Sequence, residues 1–222
     1  MMNQPTDSRA DSTRQQILNA AAHQFAQRPY HDVGLDDILA EAELTKGAMY
    51  FHFRSKHALA LAIIEEQATV GTAVIRDLLA RKLSGLETLV EFTYVIAVQD
   101  VGQDVARAGL HLLETVGRAE KFQARLLADW IEALARVVKR AIAEGDITDQ
   151  CDPQDVGRLV VSLYLGMRHT GNLDDAEQFF LELEKMWALL LRGMVEQDRL
   201  EYFSQFVRRR TALAIRTATS SC

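Results

Sequence analysis

Proline occurs only three times in 222 residues, at Pro5, Pro29 and Pro153, and glycine only 12 times. These two residues are the strongest local breakers of regular structure, so long stretches without either favour helices. The supply is too small for the many turns of a β-sandwich. No run of strict apolar–polar alternation is long enough to require a strand. The chain is therefore expected to be all-α. Hydrophobic residues at 48% and charged residues at 25% suit a soluble globular protein. The length allows a large core, as one domain or as a small domain plus a larger one.

Apolar residues at Ile17, Leu18, Ala21, Ala22 and Phe25 follow the spacing of one helical face. Ser12 is the expected N-cap of that first helix, and Pro29 its end. A short helix is expected from Leu35 to Ala42, behind Gly34, with Asp36 and Asp37 in its first turn where the helix dipole favours acids. Glu43, Leu44 and Thr45 separate it from a second short segment, Lys46 to Phe51, for which Thr45 is a good cap. Two short helices joined so tightly make a helix-turn-helix candidate. Ser55 caps a long helix running to about Arg81. Later blocks are expected near Leu86–Val98, Asp104–Val116, Lys121–Glu144, Pro153–Thr170 and Asp175–Gln197, with a weaker basic block over Leu200–Arg216. The reading is an N-terminal three-helix helix-turn-helix domain (1–54) and a larger helical domain (55–222).

Several classes are set aside. No apolar run approaches the roughly 18 residues of a membrane span, and the polar start lacks a signal peptide's apolar core; a cytoplasmic protein without a membrane role is expected. Cys151 and Cys222 are far apart, which favours free or structural thiols over a disulfide or metal site. There is no Gly-x-Ser-x-Gly elbow, phosphate loop, His-Glu-x-x-His or Cys-x-x-Cys. The residues three before the six histidines are Ala20, Arg28, Met49, Arg54, Ala108 and Gly166, so the Glu-x-x-His of a di-iron bundle is missing too. Neither an enzyme nor a bound cofactor or metal is expected.

The net charge of −6 does not suggest a nucleic-acid binder, so a DNA-binding site must rest on a local patch. From Leu44 to Ile64 there is no acid, while Lys46, Arg54 and Lys56 are basic. Across residues 1–57, by contrast, six basic residues (Arg9, Arg14, Arg28, Lys46, Arg54, Lys56) face seven acids (Asp7, Asp11, Asp32, Asp36, Asp37, Glu41, Glu43). Positive potential is thus concentrated at the second short helix, and phosphate neutralisation is what such a site needs. Gly47 and Ala48 would let the backbone approach base edges. Lys46 has the reach for guanine O6 or N7, and the Ala48 methyl for a thymine methyl. Thr45, Tyr50, His52 and Lys56 suit phosphate oxygens. Met49, Phe51 and Phe53 are expected in the small core. On charge alone, a solvated basic helix end is the competing explanation.

Residues 12–64 resemble the tetracycline-repressor (TetR) family of one-component regulators. The matching pieces are Arg14, Ile17, Leu18, Ala20 to Ala22, Phe25, Tyr30, Ile38, Ala42, the run Leu44 to Phe53, Ser55, Lys56 and Leu59. Within the family the chain looks most like the γ-butyrolactone receptors of Streptomyces-type actinomycetes. Looser similarity continues through Arg107-Ala108-Gly109, Trp130 and Met186-Trp187. Pro29, Gly34 and Glu43 depart from the usual glycine, Ser/Thr cap and turn glycine. A left-handed Glu43 would cost about 1 kcal/mol.

The resemblance implies a homodimeric repressor with nine or ten helices that binds palindromic operator DNA and is released by a small apolar signal. It also places the ligand among the helices after the fourth. Candidate pocket residues there are Phe92, Tyr94, Leu110, Leu113, Leu127, Trp130, Leu134, Leu163, Tyr164 and Met167, with Tyr94, Gln99, Arg107 and Tyr164 as polar groups. Trp130 matches a tryptophan lining the subgroup's pocket; the other stripes serve equally as packed core. Alternatives are a homologue sensing a butenolide, furan carboxylic acid or antibiotic, and a helical carrier with no DNA role. The dimer is expected through residues 153–197. There Phe179, Phe180, Leu183, Met186, Trp187, Leu190 and Leu191 form a stripe wider than one monomer needs. The Arg208–Arg210 segment is expected to be a solvated terminal helix.

Overall fold

The structure is a computed structural model and describes residues 5–119 and 121–220. Among the described residues ten α-helices follow one another: α1 (Pro5–Gln27), α2 (Leu35–Glu41), α3 (Lys46–His52), α4 (Lys56–Leu79), α5 (Gly85–Gly102), α6 (Asp104–Ala119), α7 (Phe122–Ala143), α8 (Pro153–Thr170), α9 (Ala176–Met194) and α10 (Gln197–Thr219). A 3₁₀ turn at Tyr30–Asp32 follows Pro29, and no strand occurs among the described residues. The all-α expectation holds.

Local chemistry explains the helix starts. Thr45 Oγ1 accepts from the Ala48 amide at 3.3 Å and Ser55 Oγ from the Ala58 amide at 3.1 Å, the two caps read from the sequence. Asp152 accepts from the amides of Gln154 and Asp155 ahead of Pro153, whose missing N–H costs nothing at a helix start. Ser12 is a correction. It lies inside α1, which begins at Pro5, because proline tolerates a first turn and nothing between Pro5 and Pro29 breaks the helix.

The chain packs as two compact units, residues 1–70 with 103–124 and residues 71–102 with 125–222. A cut at residue 54 would thus leave the first part of α4 and all of α6 out of the N-terminal unit. In that unit Ile17, Phe25, Ile38, Met49, Leu59 and Ile63 are fully buried. Helix α6 lies on α1. It approaches α4 so closely at Gly109 that a Cβ there would stand 2.6 Å from Gln67 Cβ, a contact that glycine alone permits. His23 Nδ1 meets Asp104 Oδ2 at 2.8 Å, and His111 Nδ1 meets the Phe25 carbonyl at 3.3 Å.

In the second unit α5 meets α7, α8, α9 and α10. Gly85 lets it touch the α7 backbone: a Cβ there would be 2.5 Å from the Ala141 nitrogen. The aromatic stripe of α9 is not outward-facing. Phe179, Phe180, Leu183, Trp187 and Leu191 are fully buried within their own chain. Helix α10 covers them, with its own Phe203, Val207, Thr211 and Ala214 buried. The basic C-terminal block is therefore a half-buried structural helix and not a solvated end. Helix α4 is long and apolar enough by composition to cross a membrane, contrary to the sequence reading. It carries Glu65 and Glu66 mid-helix and buries Leu59, Ala60, Ile63 and Ile64, with 33% of its most apolar stretch buried.

Candidate nucleic-acid interface

Helix α2 ends at Ala42, and the chain reverses through Glu43, whose φ is 52°. This is the left-handed region, where a side chain costs about 1 kcal/mol. The strained turn is what sets α3 against α2. Below it, the Met49 side chain is fully buried and Phe53 is 5% exposed, fixing one face of α3 in the core. The opposite face stands in water: Thr45, Lys46, Gly47 and Tyr50 are exposed, Ala48 and His52 half-buried. A Cβ at Gly47 would meet nothing closer than Thr45 Oγ1 at 3.9 Å, so no packing within the chain demands this glycine. Phe51 corrects the sequence reading. It is 79% exposed and stands edge-on to His52 at 5.0 Å. Helical geometry turns a residue two places from Met49 by about 200°, so the outward position was available from spacing and was overlooked because phenylalanine is usually core.

The charges on this face are not equivalent. Lys46 Nζ lies 2.8 Å from Asp36 Oδ1, with both side chains largely in water. The Asp36 carboxylate holds the Lys46 ammonium above the usual lysine range. Lys56, expected on phosphate, is turned inward. Its Nζ donates to the carbonyls of Tyr30 and Val33, each at 2.8 Å, and sits 4.4 Å from the Tyr30 ring centre. It ties the start of α4 to the 3₁₀ turn. Asp37 accepts from the Gly34 amide at 2.9 Å and from Arg28 at 3.1 Å, and these bonds hold its carboxyl below the usual range.

Residues 17–63 match the profile of the bacterial regulatory proteins of the tetR family, and residues 83–196 match the tetracyclin repressor-like C-terminal domain. The chain belongs to the TetR family. It is 31% identical over 188 residues to the A-factor receptor protein of Streptomyces griseus, an alignment covering 83% of this chain and 64% of that receptor. The chain thus spans just under two thirds of the receptor's length. The solved structure of CprB from S. coelicolor A3(2), itself a TetR family protein, superposes with a TM-score of 0.81 at 33% identity, covering 92% of this chain and 98% of that one. A γ-butyrolactone receptor described as ArpA-like gives 0.80 at 32%, with coverage of 92% and 98%. TetR-family proteins are DNA-binding regulators.

The candidate pocket residues of this TetR-family chain fall in both units. Leu110 and Leu113 on α6 belong to the first, where they are buried. The rest belong to the second. There Phe92, Leu127, Trp130, Leu163 and Met167 are half-buried, while Tyr94, Leu134 and Tyr164 are core. Of the polar groups expected to meet a ligand, the two tyrosines are engaged within the core, whereas Gln99 Oε1 is buried without a hydrogen-bond partner among the described residues. The Tyr94 hydroxyl pairs with Thr211 Oγ1 at 2.7 Å, and burial pushes its pKa up. The Tyr164 hydroxyl donates to Asp100 Oδ2 at 2.6 Å, and the same carboxylate accepts from Arg168 at 3.2 Å. Sequence spacing gave no sign of these pairings, because their partners lie far along the chain. On α8 and α9, the outward apolar residues are Leu159, Leu181 and Leu189, 43%, 37% and 71% exposed.

Proposed function

We propose that this chain is a transcriptional repressor that grips a palindromic operator as a homodimer through α3 and releases it on binding a small apolar signal of γ-butyrolactone type. One observation carries the DNA half. Helix α3 is seated by Met49 and Phe53 and turns Thr45, Lys46, Gly47, Tyr50 and Phe51 to water beside an acid-free stretch. Lys46 reads guanine and Ala48 a thymine methyl. Phe51 joins them as a second apolar contact to thymine, while Thr45, Tyr50 and His52 hold phosphate. A CprB structure similar to this chain, with a TM-score of 0.78 at 33% identity, is of that protein in complex with its biological operator sequence, which supports the reading.

Dimerisation runs through α8 and α9, with Leu159, Leu181 and Leu189 as the apolar contacts. Leu181 and Leu189 lie about two turns apart on one face of α9. The twin recognition helices then sit about 34–36 Å apart, one DNA turn. The named ligand class of the A-factor and butyrolactone receptors and the half-buried Trp130 support an apolar signal seated near that tryptophan. Ligand binding favours a conformer with altered spacing; coupling of about 1–3 kcal/mol is typical of such regulators. The protein acts in the cytoplasm, with its DNA.

Electrophoretic shift on a duplex selected by the wild-type protein tests each part. Lys46→Ala and Tyr50→Ala are expected to weaken binding, and unchanged affinity in both would refute the site. Leu189→Arg is expected to give monomers that no longer bind the palindrome. Trp130→Ala is expected to bind DNA but lose release by whatever ligand co-purifies from the native host and is identified by mass spectrometry. Retained release would discount the pocket.

A further inference from the structure

The inference here rests on α3 reading the operator, and concerns which side chains neutralise the phosphates beside it. The positive charge near α3 is smaller than the sequence suggests. Lys56 is turned to the carbonyls of Tyr30 and Val33. Arg28 pairs with Asp37 at 3.1 Å. Lys46 stands 2.8 Å from Asp36, whose carboxylate offsets its charge. Thr45 and Tyr50 offer hydrogen bonds but bring no cation.

Arg14 and Arg54 differ. Both are exposed, and neither guanidinium has a hydrogen bond or ion pair among the described residues. Asp11, three residues before Arg14 on α1, does not pair with it. The two arginines reach one place from different elements. The Arg14 guanidinium lies 5.2 Å from the ring centre of Phe53. Phe53 is the C-cap of α3 and only 5% exposed, and Arg54 is the next residue. A ring face attracts a cation, and this ring is itself fixed in the core. Arg14 is thereby anchored at the end of α3 while its N–H groups stay in water.

That end is where phosphate is expected. A recognition helix meets base edges with its N-terminal residues, here Lys46 and Ala48. The far end of the seven-residue α3 is about 10 Å away, comparable with the groove's width of about 12 Å. It therefore emerges at the sugar–phosphate wall. A guanidinium suits that wall, because its fork of donors matches phosphate oxygens two at a time.

We propose that Arg14 and Arg54 form a phosphate clamp at the C-terminal end of α3. They supply the cations that Lys56 and Arg28 do not, and hold the helix in the groove without reading sequence.

Fluorescence anisotropy titrations of the full chain at several salt concentrations test this. They use an operator duplex, selected from a random pool by the wild-type protein, and a scrambled duplex of the same composition. Arg14→Ala and Arg54→Ala are each expected to weaken binding to both duplexes alike, about fivefold to tenfold per bound subunit near 0.1 M salt. The slope of log affinity against log salt should fall by about 0.9 per bound subunit. The double variant should show both losses together, and Arg14→Lys, which keeps the charge, should keep most of the slope. Thermal midpoints should stay near wild type. A wild-type slope in either alanine variant overturns the clamp, and a lowered midpoint with that slope leaves Arg14 as packing on Phe53. A loss confined to the operator overturns it too, since that would be base reading. If Lys46→Ala and Tyr50→Ala both leave operator affinity unchanged, the reading of α3 falls and this proposal with it. If they weaken it while the arginine variants bind like wild type, the clamp falls alone.

Discussion

The two units spend their polar groups in opposite ways. In the first, α3 turns Lys46 and Tyr50 out to water, and its hold on the core is apolar, through Met49 and Phe53. In the second, polar side chains are buried in pairs between helices: Asp100 with Tyr164 and Arg168, Tyr94 with Thr211, Trp187 with Thr93, and Glu91 with Arg210. An exposed contact residue can be changed without unfolding the chain, because nothing rests on it. A buried pair cannot lose one member cheaply, because the other is left desolvated. The exposed face of α3 can therefore vary without unfolding the chain, while the second unit is held to one arrangement of its helices.

The strongest break of this contrast is Asp100→Ala. Asp100 is fully buried and Arg168 nearly so, and removing one partner of a buried pair costs about 3–5 kcal/mol. Urea unfolding should show the loss, whereas Phe51→Ala should stay within about 0.5 kcal/mol of wild type. Comparable effects at the two sites would erase the distinction.

Lys56→Met is the next largest, because it asks which side of the contrast a nominal DNA-binding residue is on. Its ammonium caps two carbonyls of the Tyr30–Val33 turn. Losing these charged hydrogen bonds is expected to cost about 1–3 kcal/mol, with the salt dependence of DNA binding unchanged. A slope lower by about 0.9 at unaltered stability would return Lys56 to the phosphate contacts.

The same division decides what the sequence could reveal. Helices α2, α3 and α8 follow local signals: Thr45 as cap, Asp152 before Pro153, and the apolar period between them. The outward face of α3 is a continuous segment, so most of its exposure was legible, while Phe51 and the inward-turned Lys56 were misread. The second unit is made by contacts between distant residues, such as Tyr94 with Thr211. No periodicity announces that α10 will cover α9, because its Arg208 to Arg210 run reads as solvated until Arg210 meets the buried Glu91. Asp36 was passed over for a related reason: it looks like an ordinary dipole-complementing acid until its neighbour across the turn is known.

Glu43→Gly sharpens the comparison from the backbone side. The φ of 52° is strain held in an exposed turn by the helices on either side. Glycine relieves it, and its greater freedom in the unfolded chain offsets part of the gain. A rise of up to about 1 kcal/mol is expected, seen as about 2–4 °C in Tm. An unchanged or lower Tm would mean that Glu43 makes compensating contacts.

The smallest effect concerns an ionic link between α1 and α6. His23 meets Asp104 at 2.8 Å, with Gln27 on its other nitrogen at 3.0 Å and Glu41 adding negative potential from α2. The Asp104 hydrogen bond, opposed by partial desolvation, raises the His23 pKa above its ordinary value of about 6.5. A raised folded-state pKa means the protonated form is favoured by folding. Its contribution is complete below about pH 6.5 and disappears as pH climbs through the higher folded value. The side chains are 40% and 46% exposed, so solvent screening leaves a few tenths of a kcal/mol. Denaturation midpoints of wild type should fall relative to His23→Gln as pH is raised from about 6 to 8. Parallel midpoints, or the opposite trend, would show that α6 rests on α1 through its apolar contacts alone.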